Sequence, residues 1–344
     1  MPSVKTFTST KLPAFAFTIF RSLEAALNDA NEASRSRNLI IACSGGLDSV
    51  VLVDVLSKLQ TRLKLRLMIA HIHHGPTQTT PEANPEASQD FRDRAELFVR
   101  RLSARYQIPL EVFRSPNVLH SEAELREFRL MSFSGLLKTS NFDRVVIAHH
   151  ADDLLETRLM RLIRGTGASG LIGMRELGAK TVRPFLKHSR VELLEYAKEQ
   201  NLEWCEDPSN QDQRPFRNWL RGFWLPALEA RQPGSAACLA RSLELLASQV
   251  GREVENRLPA DSLNRLSLIR SEFEALSVIE KRDRIAGLGR SLLVKNFGQT
   301  KVTEVIKRLG RLEMTGQKSA NFQVGGVLWK IDSRRISVSL CARR

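Results

Sequence analysis

The sequence predicts an α/β fold in which a parallel sheet is covered by helices on both faces, followed by a smaller helical or α+β domain. Two observations predict it. Short apolar runs alternate with amphipathic stretches of helical period, and the run at residues 39–43 ends in a glycine turn just before the first such stretch. This alternation is typical of βαβ units, whose ligands bind at the carboxyl ends of the strands.

The predicted elements follow one another in regular order along the chain. A segment rich in proline and threonine, between His74 and Gln89, is predicted to be a mobile surface loop. We predict strands at 39–43, 65–72, 110–113 and 144–148, helices at 50–59, 91–106, 122–137 and 215–229, and short strands near 322–331 and 336–340.

A length of 344 residues predicts two domains. We place an N-terminal helical extension at residues 1–37 and a first, larger domain at 38–214. A linker helix and boundary occupy 215–235, since Gln-Pro-Gly-Ser at 232–235 interrupts the helical period. The remaining residues, 236–344, form a basic C-terminal domain.

The charge of the chain predicts a polyanionic partner. The net charge is +14, and residues 231–344 hold 21 Lys and Arg against 11 Asp and Glu, which is +10 of that excess. Nucleic acid is the favoured partner, and a merely solubilising basic surface is the alternative.

The four scattered cysteines form no C-x-x-C pair, and no apolar run is long enough for a membrane span. We therefore expect a cytoplasmic protein that makes no contact with a membrane.

A short loop between the first strand and the first helix predicts phosphate binding. Such a loop presents backbone N–H groups at the positive end of the helix dipole, Gly45 and Gly46 permit close approach, and the Ser44 and Ser49 hydroxyls can donate hydrogen bonds. Asp48 would repel phosphate, so we expect Mg²⁺ to bridge the two. An ordinary strand-to-helix turn is the alternative. The predicted ATP-binding residues are Ser44, Gly45, Gly46, Leu47, Asp48 and Ser49.

A carboxylate-rich segment directly follows the predicted strand at 144–148. Asp152, or Asp153, lies on one helix face with Glu156. Carboxylates beside a phosphate loop can coordinate a metal, hold a cationic substrate or take a proton from an amine. The alternative is that Asp152 and Asp153 only stabilise the first turn of a helix through its dipole. We include Asp152 with Asp48 as a candidate Mg²⁺ ligand.

These motifs resemble those of a known family. The Ser44–Ser49 loop resembles the signature of the N-type ATP pyrophosphatases, and the segment from His149 to Gly165 resembles that of the tRNA(Ile)-lysidine synthetases. Four further stretches fit the family in its order, although His73 and Pro76 depart from its usual residues. Those stretches are His71–Gly75, Arg183–Leu186, Glu206–Asn210 and Arg217–Arg221.

The resemblance implies an adenine nucleotide alpha hydrolase-like, Rossmann-type fold and an ATP-dependent, AMP-forming carbon–nitrogen ligase. Members of this family adenylate the C2 oxygen of the wobble cytidine, position 34, in a tRNA(Ile) with a CAU anticodon. Free L-lysine then displaces AMP through its ε-amine, and codon specificity changes from AUG to AUA. We therefore expect ATP to be a substrate and Mg²⁺ to be the cofactor. We expect tRNA(Ile) and free L-lysine to be the partners. A homodimer is compatible with the sequence, which does not fix the oligomeric state.

The resemblance also implies roles for individual residues. Asp153 and Glu156 would bind lysine and activate its amine, and Asp48 would act with them in catalysis. Arg126 and Arg129 would face ATP or the adenylate, with a solvated basic face as the alternative. Phosphate contacts to tRNA would come from Arg183, Arg214, Arg217 and Arg221.

Other interpretations of the sequence remain open. A tRNA thiolase of the same superfamily typically needs paired cysteines, and an amidotransferase-type synthetase would leave the basic C-terminal domain unexplained. A noncatalytic RNA-binding protein would leave the carboxylate segment unexplained. A metal site at His71, His73 and His74 is disfavoured because alternate residues of a strand point to opposite faces.

Overall fold

The structure of the protein is a computed structural model. The structure describes residues 12–28, 37–76, 85–119, 121–166, 168–178, 180–207, 212, 214–257, 267–291, 299–315, 317 and 319–340. The chain divides into two compact units. The first comprises Met1–Leu154 and Met174–Pro226, and the second comprises Leu155–Gly173 and Ala227–Arg344.

The first unit is built on a five-stranded parallel sheet. Its strands lie in the order β3-β2-β1-β4-β5, so β1 pairs with both β2 and β4. The strands are β1 (Asn38–Ala42), β2 (Arg66–His73), β3 (Leu110–Arg114), β4 (Arg144–Val146) and β5 (Thr181–Val182). The predicted parallel sheet is confirmed.

The helices of this region alternate with the strands in sequence. They are α1 (Ala14–Asn28), α2 (Leu47–Leu63), α3 (Pro85–Tyr106), α4 (Glu122–Thr139), α5 (Ala151–Ile163) and α6 (Arg190–Glu199). The predicted surface loop is shorter than expected, because α3 begins at Pro85, a residue that suits a first helical turn. Residues 77–84 of that loop lie outside the described residues.

Strand β1 is buried on both faces, which is why its sequence is continuously apolar. Leu39 and Ile41 pack in a large core with residues of α1, α2, α3 and α6. Ile40 lies in a smaller core with Phe133 of α4. Helices therefore cover both faces of the sheet, as predicted.

A buried carboxylate ties α2 to two neighbouring helices. Asp54 is 2% exposed and accepts hydrogen bonds from Tyr106 at 2.7 Å and Tyr196 at 2.6 Å. These are the two tyrosines of the chain. Lys58 adds an ion pair at 2.7 Å. Because α2 begins at the predicted phosphate loop, this network fixes the helix that carries the loop.

A helical segment joins the two units in sequence. It consists of α7 (Phe216–Trp219), a π-helical turn (Leu220–Trp224) and α8 (Leu225–Arg231). The prediction of a long helix at 215–229 is confirmed, although the π turn was not foreseen. The interruption predicted at 232–235 lies between α8 and α9 (Ser235–Arg257).

The second unit contains an antiparallel four-stranded sheet in the order β6-β9-β8-β7. The strands are β6 (Ser267–Ile269), β7 (Ala320–Val324), β8 (Val327–Ile331) and β9 (Arg335–Leu340), and the helices near them in sequence are α10 (Arg270–Glu274), α11 (Val278–Ser291) and α12 (Gln299–Thr315). Trp329 of β8 is fully buried in the core of this unit, together with Val305 of α12. This is the α+β form of the predicted C-terminal domain.

None of the helices in the described part of the chain is long and apolar enough to cross a membrane.

Replacing Gly75 by alanine should destabilise the first unit. Gly75 follows β2 with φ of +76°, and a Cβ there would clash with the carbonyl oxygen of Ser115 and lie 3.0 Å from that of Asn117. We expect Gly75→Ala to cost about 2 kcal/mol of unfolding free energy, measured by urea denaturation. Gly135→Ala is the matched control, because Gly135 lies within α4 and a Cβ added there would meet no atom within 4 Å. Alanine at this position should raise the unfolding free energy by about 1 kcal/mol. Equal stability of the two variants would contradict this account.

Candidate functional site

The loop from β1 to α2 has the geometry of an anion site. Gly45 adopts φ of +91°, which suits glycine, and Gly46 precedes α2 without a side-chain cap. The first N–H groups of a helix have no partner within the helix. The start of α2 is therefore suited to receive phosphate oxygens.

Ser49 organises this loop from within. Its hydroxyl accepts hydrogen bonds from the N–H groups of Ser44 and Gly45, both at 3.2 Å, and donates to the Gly46 carbonyl at 2.9 Å. Ser49 is 6% exposed. Its visible role is to hold the loop in shape, and Ser49 as a direct donor to phosphate remains a prediction.

A segment after α6 braces the same loop. The Cys205 N–H donates to the Gly45 carbonyl at 2.9 Å. Glu206 and Asp207 of the predicted Glu-Asp-x-Ser-Asn motif follow directly, while Pro208–Asn210 lie outside the described residues. Sequence reasoning gave Cys205 no role, because a backbone hydrogen bond leaves no signal in residue type.

Asp48 lies in the first turn of α2, beside the loop. Burial raises the pKa of Asp48, and the positive charges of His150 and Arg190 oppose that rise only in part. Its Oδ1 atom is buried and accepts no hydrogen bond from the described residues. An orphaned carboxylate oxygen of this kind is suited to a cation.

His150 connects the loop after β1 with the loop after β4. Its Nε2 atom lies 3.8 Å from Asp48 Oδ2 and 3.4 Å from Asp153 Oδ2, and its Nδ1 lies 3.3 Å from Asp152 Oδ2. Burial alone would lower the pKa of His150, but the close contact with Asp152 and the charges of Asp153 and Asp48 outweigh it and raise the pKa. Three predicted site carboxylates thus surround one imidazole.

Asp152 and Asp153 also hold helix starts in place. Asp152 accepts from the N–H of Arg190, the first residue of α6, at 2.8 Å, and the contact with His150 lowers its pKa to about 2. Asp153 Oδ2 accepts from the His150 N–H at 3.1 Å, as in one half of a capping box for α5. The interpretation in which a carboxylate stabilises the start of α5 is thus supported for Asp153, and the functional roles of both residues stay predictions.

Two arginines meet on the other oxygen of Asp153. Arg217 donates to Asp153 Oδ1 at 2.8 Å, and Arg221 donates to the same atom at 3.0 Å. Burial would raise the pKa of Asp153, but the charges of His150 and Arg217 outweigh it and lower the pKa. A predicted lysine-binding carboxylate is thus paired with two predicted tRNA-binding arginines.

The other predicted arginines take different positions. Arg183 donates from Nε to His149 Nδ1 at 3.1 Å, and burial lowers the pKa of His149 to about 4. Burial and the charge of Arg126 lower the pKa of both Arg183 and Arg129. The charge of Arg126 thus acts on both Arg129 and Arg183, and the charges of Arg129 and Arg183 act on His149. Arg214 is exposed and pairs with Asp212 at 3.0 Å.

Glu156 lies in α5 three residues beyond Asp153, in the part of the helix assigned to the second unit. It is 1% exposed. Arg158, also buried, pairs with Glu244 at 2.7 Å within that unit. The side chain of Glu156 must therefore become more exposed before it can contact a substrate that arrives from solution.

The three histidines at the end of β2 do not converge on one point. His71 shares a hydrogen bond of 2.9 Å with the Cys43 carbonyl, whereas His73 bonds Asp93 at 3.0 Å. Burial and the charge of Arg129 lower the pKa of His74 to about 4. His71 and His73 act as braces of the strand ends.

Comparison with known proteins identifies the family. The PP-loop domain family model matches residues 18–228. A tRNA(Ile)-lysidine synthase of Bdellovibrio bacteriovorus is 38% identical over 310 residues, which are 88% of this chain and 92% of that protein. This chain belongs to the tRNA(Ile)-lysidine synthase family. The family predicted from the motifs is confirmed.

Relatives within the tRNA(Ile)-lysidine synthase family differ in length. The synthase of Geobacter sulfurreducens is 35% identical over 274 residues, which are 76% of this chain but 55% of the relative. This chain therefore spans about half the length of that relative. Among solved structures, the U34-tRNA thiolase NcsA of Methanococcus maripaludis, with its 4Fe-4S cluster, aligns with a TM-score of 0.51. It is 18% identical and covers 68% of this chain and 80% of that one, which confirms the fold.

His150 should titrate above the usual range of histidine. Because its pKa is raised in the folded protein, its protonation stabilises the fold below about pH 6.5, and this contribution is lost as the pH rises through the raised pKa. We expect Asp152→Asn to lower the pKa of His150, measured by NMR of the imidazole signals. Asp212→Asn is the control, since Asp212 pairs with Arg214 instead. An unchanged His150 titration in Asp152→Asn would contradict this account.

Proposed function

We propose that this chain ligates free lysine to C2 of the wobble cytidine of a CAU tRNA(Ile), through an adenylated RNA intermediate. The observation that carries the proposal is the meeting of the Ser44–Ser49 loop with Asp48, His150 and Asp153 at the carboxyl edge of the sheet. Membership of the tRNA(Ile)-lysidine synthase family supports it.

The reaction needs two displacements. In the first, the cytidine C2 oxygen attacks the α-phosphorus of ATP, the bond to the β-phosphate breaks, and pyrophosphate leaves. In the second, the lysine ε-amine attacks C2 and AMP leaves with the oxygen. A pyrimidine carbonyl oxygen is a poor leaving group, and its attachment to AMP makes it a good one.

The phosphate loop and the arginines would serve the first step. The start of α2 would receive the ATP phosphates, with Gly45 and Gly46 allowing close approach. Arg126 and Arg129 would neutralise charge that develops on the α-phosphate. The charge of Arg126 lowers the pKa of both Arg129 and Arg183, and this mutual repulsion supports a concentration of positive charge suited to phosphate.

The residues around Asp48 fit Mg²⁺. Its buried Oδ1 without a hydrogen-bond donor would supply one oxygen ligand, and Asp152 would supply another. When bound, the ion would neutralise polyphosphate charge and assist departure of pyrophosphate. His150 would keep Asp152 ionised, since the contact between them lowers the pKa of that carboxyl to about 2.

Asp153 and Glu156 would serve lysine in the second step. An ammonium needs a carboxylate partner, and the amine must lose a proton before it attacks. Asp153 already accepts from Arg217 and Arg221, so lysine competes with two guanidinium groups for one carboxylate. Transfer of these arginines to tRNA phosphates would relieve that competition, and their predicted role in tRNA binding agrees with it.

The basic C-terminal domain at 236–344 would hold a part of the tRNA distant from the anticodon. Its positive charge supports this assignment. We place the enzyme in the cytoplasm because tRNA, ATP and lysine are available there, and a homodimer stays a prediction. Thiolation is less well supported, since burial raises the pKa of Cys43 to about 11 and also raises the pKa of Cys205.

A reconstituted reaction tests this function. The protein is incubated with ATP, Mg²⁺, labelled lysine and a transcript of CAU tRNA(Ile), and each component is omitted in turn. We expect label on the tRNA only when ATP is present, and none when the wobble cytidine is replaced by uridine. Label transfer without ATP, or equal labelling of the uridine transcript, would reject the proposal.

Substitutions at the proposed lysine site should separate the two steps. We expect Asp153→Asn and Glu156→Gln to lower lysine transfer by about tenfold or more while ATP-dependent adenylation of the tRNA persists. Asp143→Asn is the control, because Asp143 is exposed and precedes β4 at the opposite edge of the sheet. An equal loss of both steps would remove Asp153 and Glu156 from the lysine site.

A further inference from the structure

Three aromatic side chains form a ladder along the helical segment that ends the first unit. The ring centroids of Phe216 and Trp219 are 5.6 Å apart with nearly parallel planes, and those of Trp219 and Phe223 are 5.9 Å apart. We call these three residues the aromatic ladder. Their spacing of three and four residues places them on one helix face.

The aromatic ladder faces solvent. Phe216 is 38% exposed and Phe223 is 54% exposed. Aromatic residues make up 6% of the chain but four of the nine positions from 216 to 224. Such a local excess at an exposed face is typical of a binding surface, because a stable fold gains nothing from leaving it in water.

The charges around the aromatic ladder favour an anionic occupant. Arg214, Arg217 and Arg221 lie in the same segment, and no acidic residue occurs from position 213 to position 228. Exposed aromatic rings in a positively charged segment suit unpaired nucleotides, whose bases stack on the rings while the local positive charge attracts the RNA backbone.

The position of the segment relates the aromatic ladder to the reaction. Arg217 and Arg221 point from the segment to Asp153, while helical periodicity places the ladder on a different face. An α-helix with its side chains is about 10–12 Å across. The ladder is therefore about one helix diameter from Asp153, too far to hold the reacting base itself and close enough for its neighbours in a strand.

We propose that the aromatic ladder is a stacking platform for the unpaired nucleotides next to the wobble cytidine. The π-helical turn at Leu220–Trp224 supports the assignment, since π turns widen a helix locally and occur frequently at functional sites. This inference rests on the proposed function for the identity of the RNA. Stacking would position the cytidine without contacting it.

The test compares RNA binding by ladder variants with that of a matched control. Phe216→Ala and Phe223→Ala each remove one exposed ring of the ladder. Phe17→Ala removes a ring of α1 that is 47% exposed and stacked on Phe20 at 6.2 Å, so it controls for the loss of an exposed aromatic pair. Binding of a hairpin RNA with the CAU anticodon loop is measured by fluorescence anisotropy over a range of salt concentrations.

We expect each ladder variant to weaken hairpin binding about tenfold with an unchanged salt slope, because stacking, not phosphate contact, is lost. Phe17→Ala should change binding less than twofold, and Phe223→Trp should retain it. Binding of a fully paired duplex should not respond to the ladder, since its bases are already stacked on one another.

Unaltered hairpin binding in both ladder variants would overturn the inference. A change of oligomeric state by sedimentation, with RNA affinity intact, would also overturn it and assign the ladder to contact between copies of this chain. Absence of lysine transfer by the unsubstituted protein would reject the proposed function instead, and loss of hairpin binding in the ladder variants would still support the stacking platform.

Discussion

The imidazole of His150 holds together two loops that are a hundred residues apart in the sequence. It lies 3.8 Å from Asp48, which follows β1, and 3.4 Å from Asp153, which follows β4. Parallel pairing makes this possible, since Ile41 of β1 is in register with Val146 of β4 and both strands end at the same edge. The predicted phosphate loop and the start of the carboxylate-bearing helix α5 therefore meet at one edge of the sheet, with His150 between them.

The charges of the site balance one another through shared partners. His150 meets three carboxylates, and Asp153 in turn meets Arg217 and Arg221. A substrate that binds one member of an ion pair, such as Asp153, leaves the other member, such as Arg217, without its counterion. In the proposed reaction, the binding of phosphate, of the lysine ammonium and of RNA would therefore be linked electrostatically through these shared partners.

Much of this site could be predicted from residue order alone. The apolar run of β1 followed by Ser-Gly-Gly predicts a strand that ends in a glycine turn before a helix, and the position of Asp153 just after a strand predicts that it lies at the carboxyl edge of the sheet, as the structure shows. The contacts of Asp153 with Arg217 and Arg221 could not be predicted, because 64 and 68 residues separate them and no local pattern encodes the approach. The helix cap made by Asp153 and the inward hydroxyl of Ser49 likewise depend on backbone geometry. The sequence does contain a sign that His150 belongs to the site, because this residue stands between a predicted strand and two carboxylates.

The most direct test of the account follows the α-phosphate of ATP. The protein is incubated with CAU tRNA(Ile) and ATP labelled at the α-phosphate, without lysine, and lysine is then added. We expect label on the RNA before lysine and its release as AMP afterwards, with Asp48→Asn forming at least a hundredfold less labelled RNA. Label that never joins the RNA, or that leaves it at the same rate without lysine, would contradict the account.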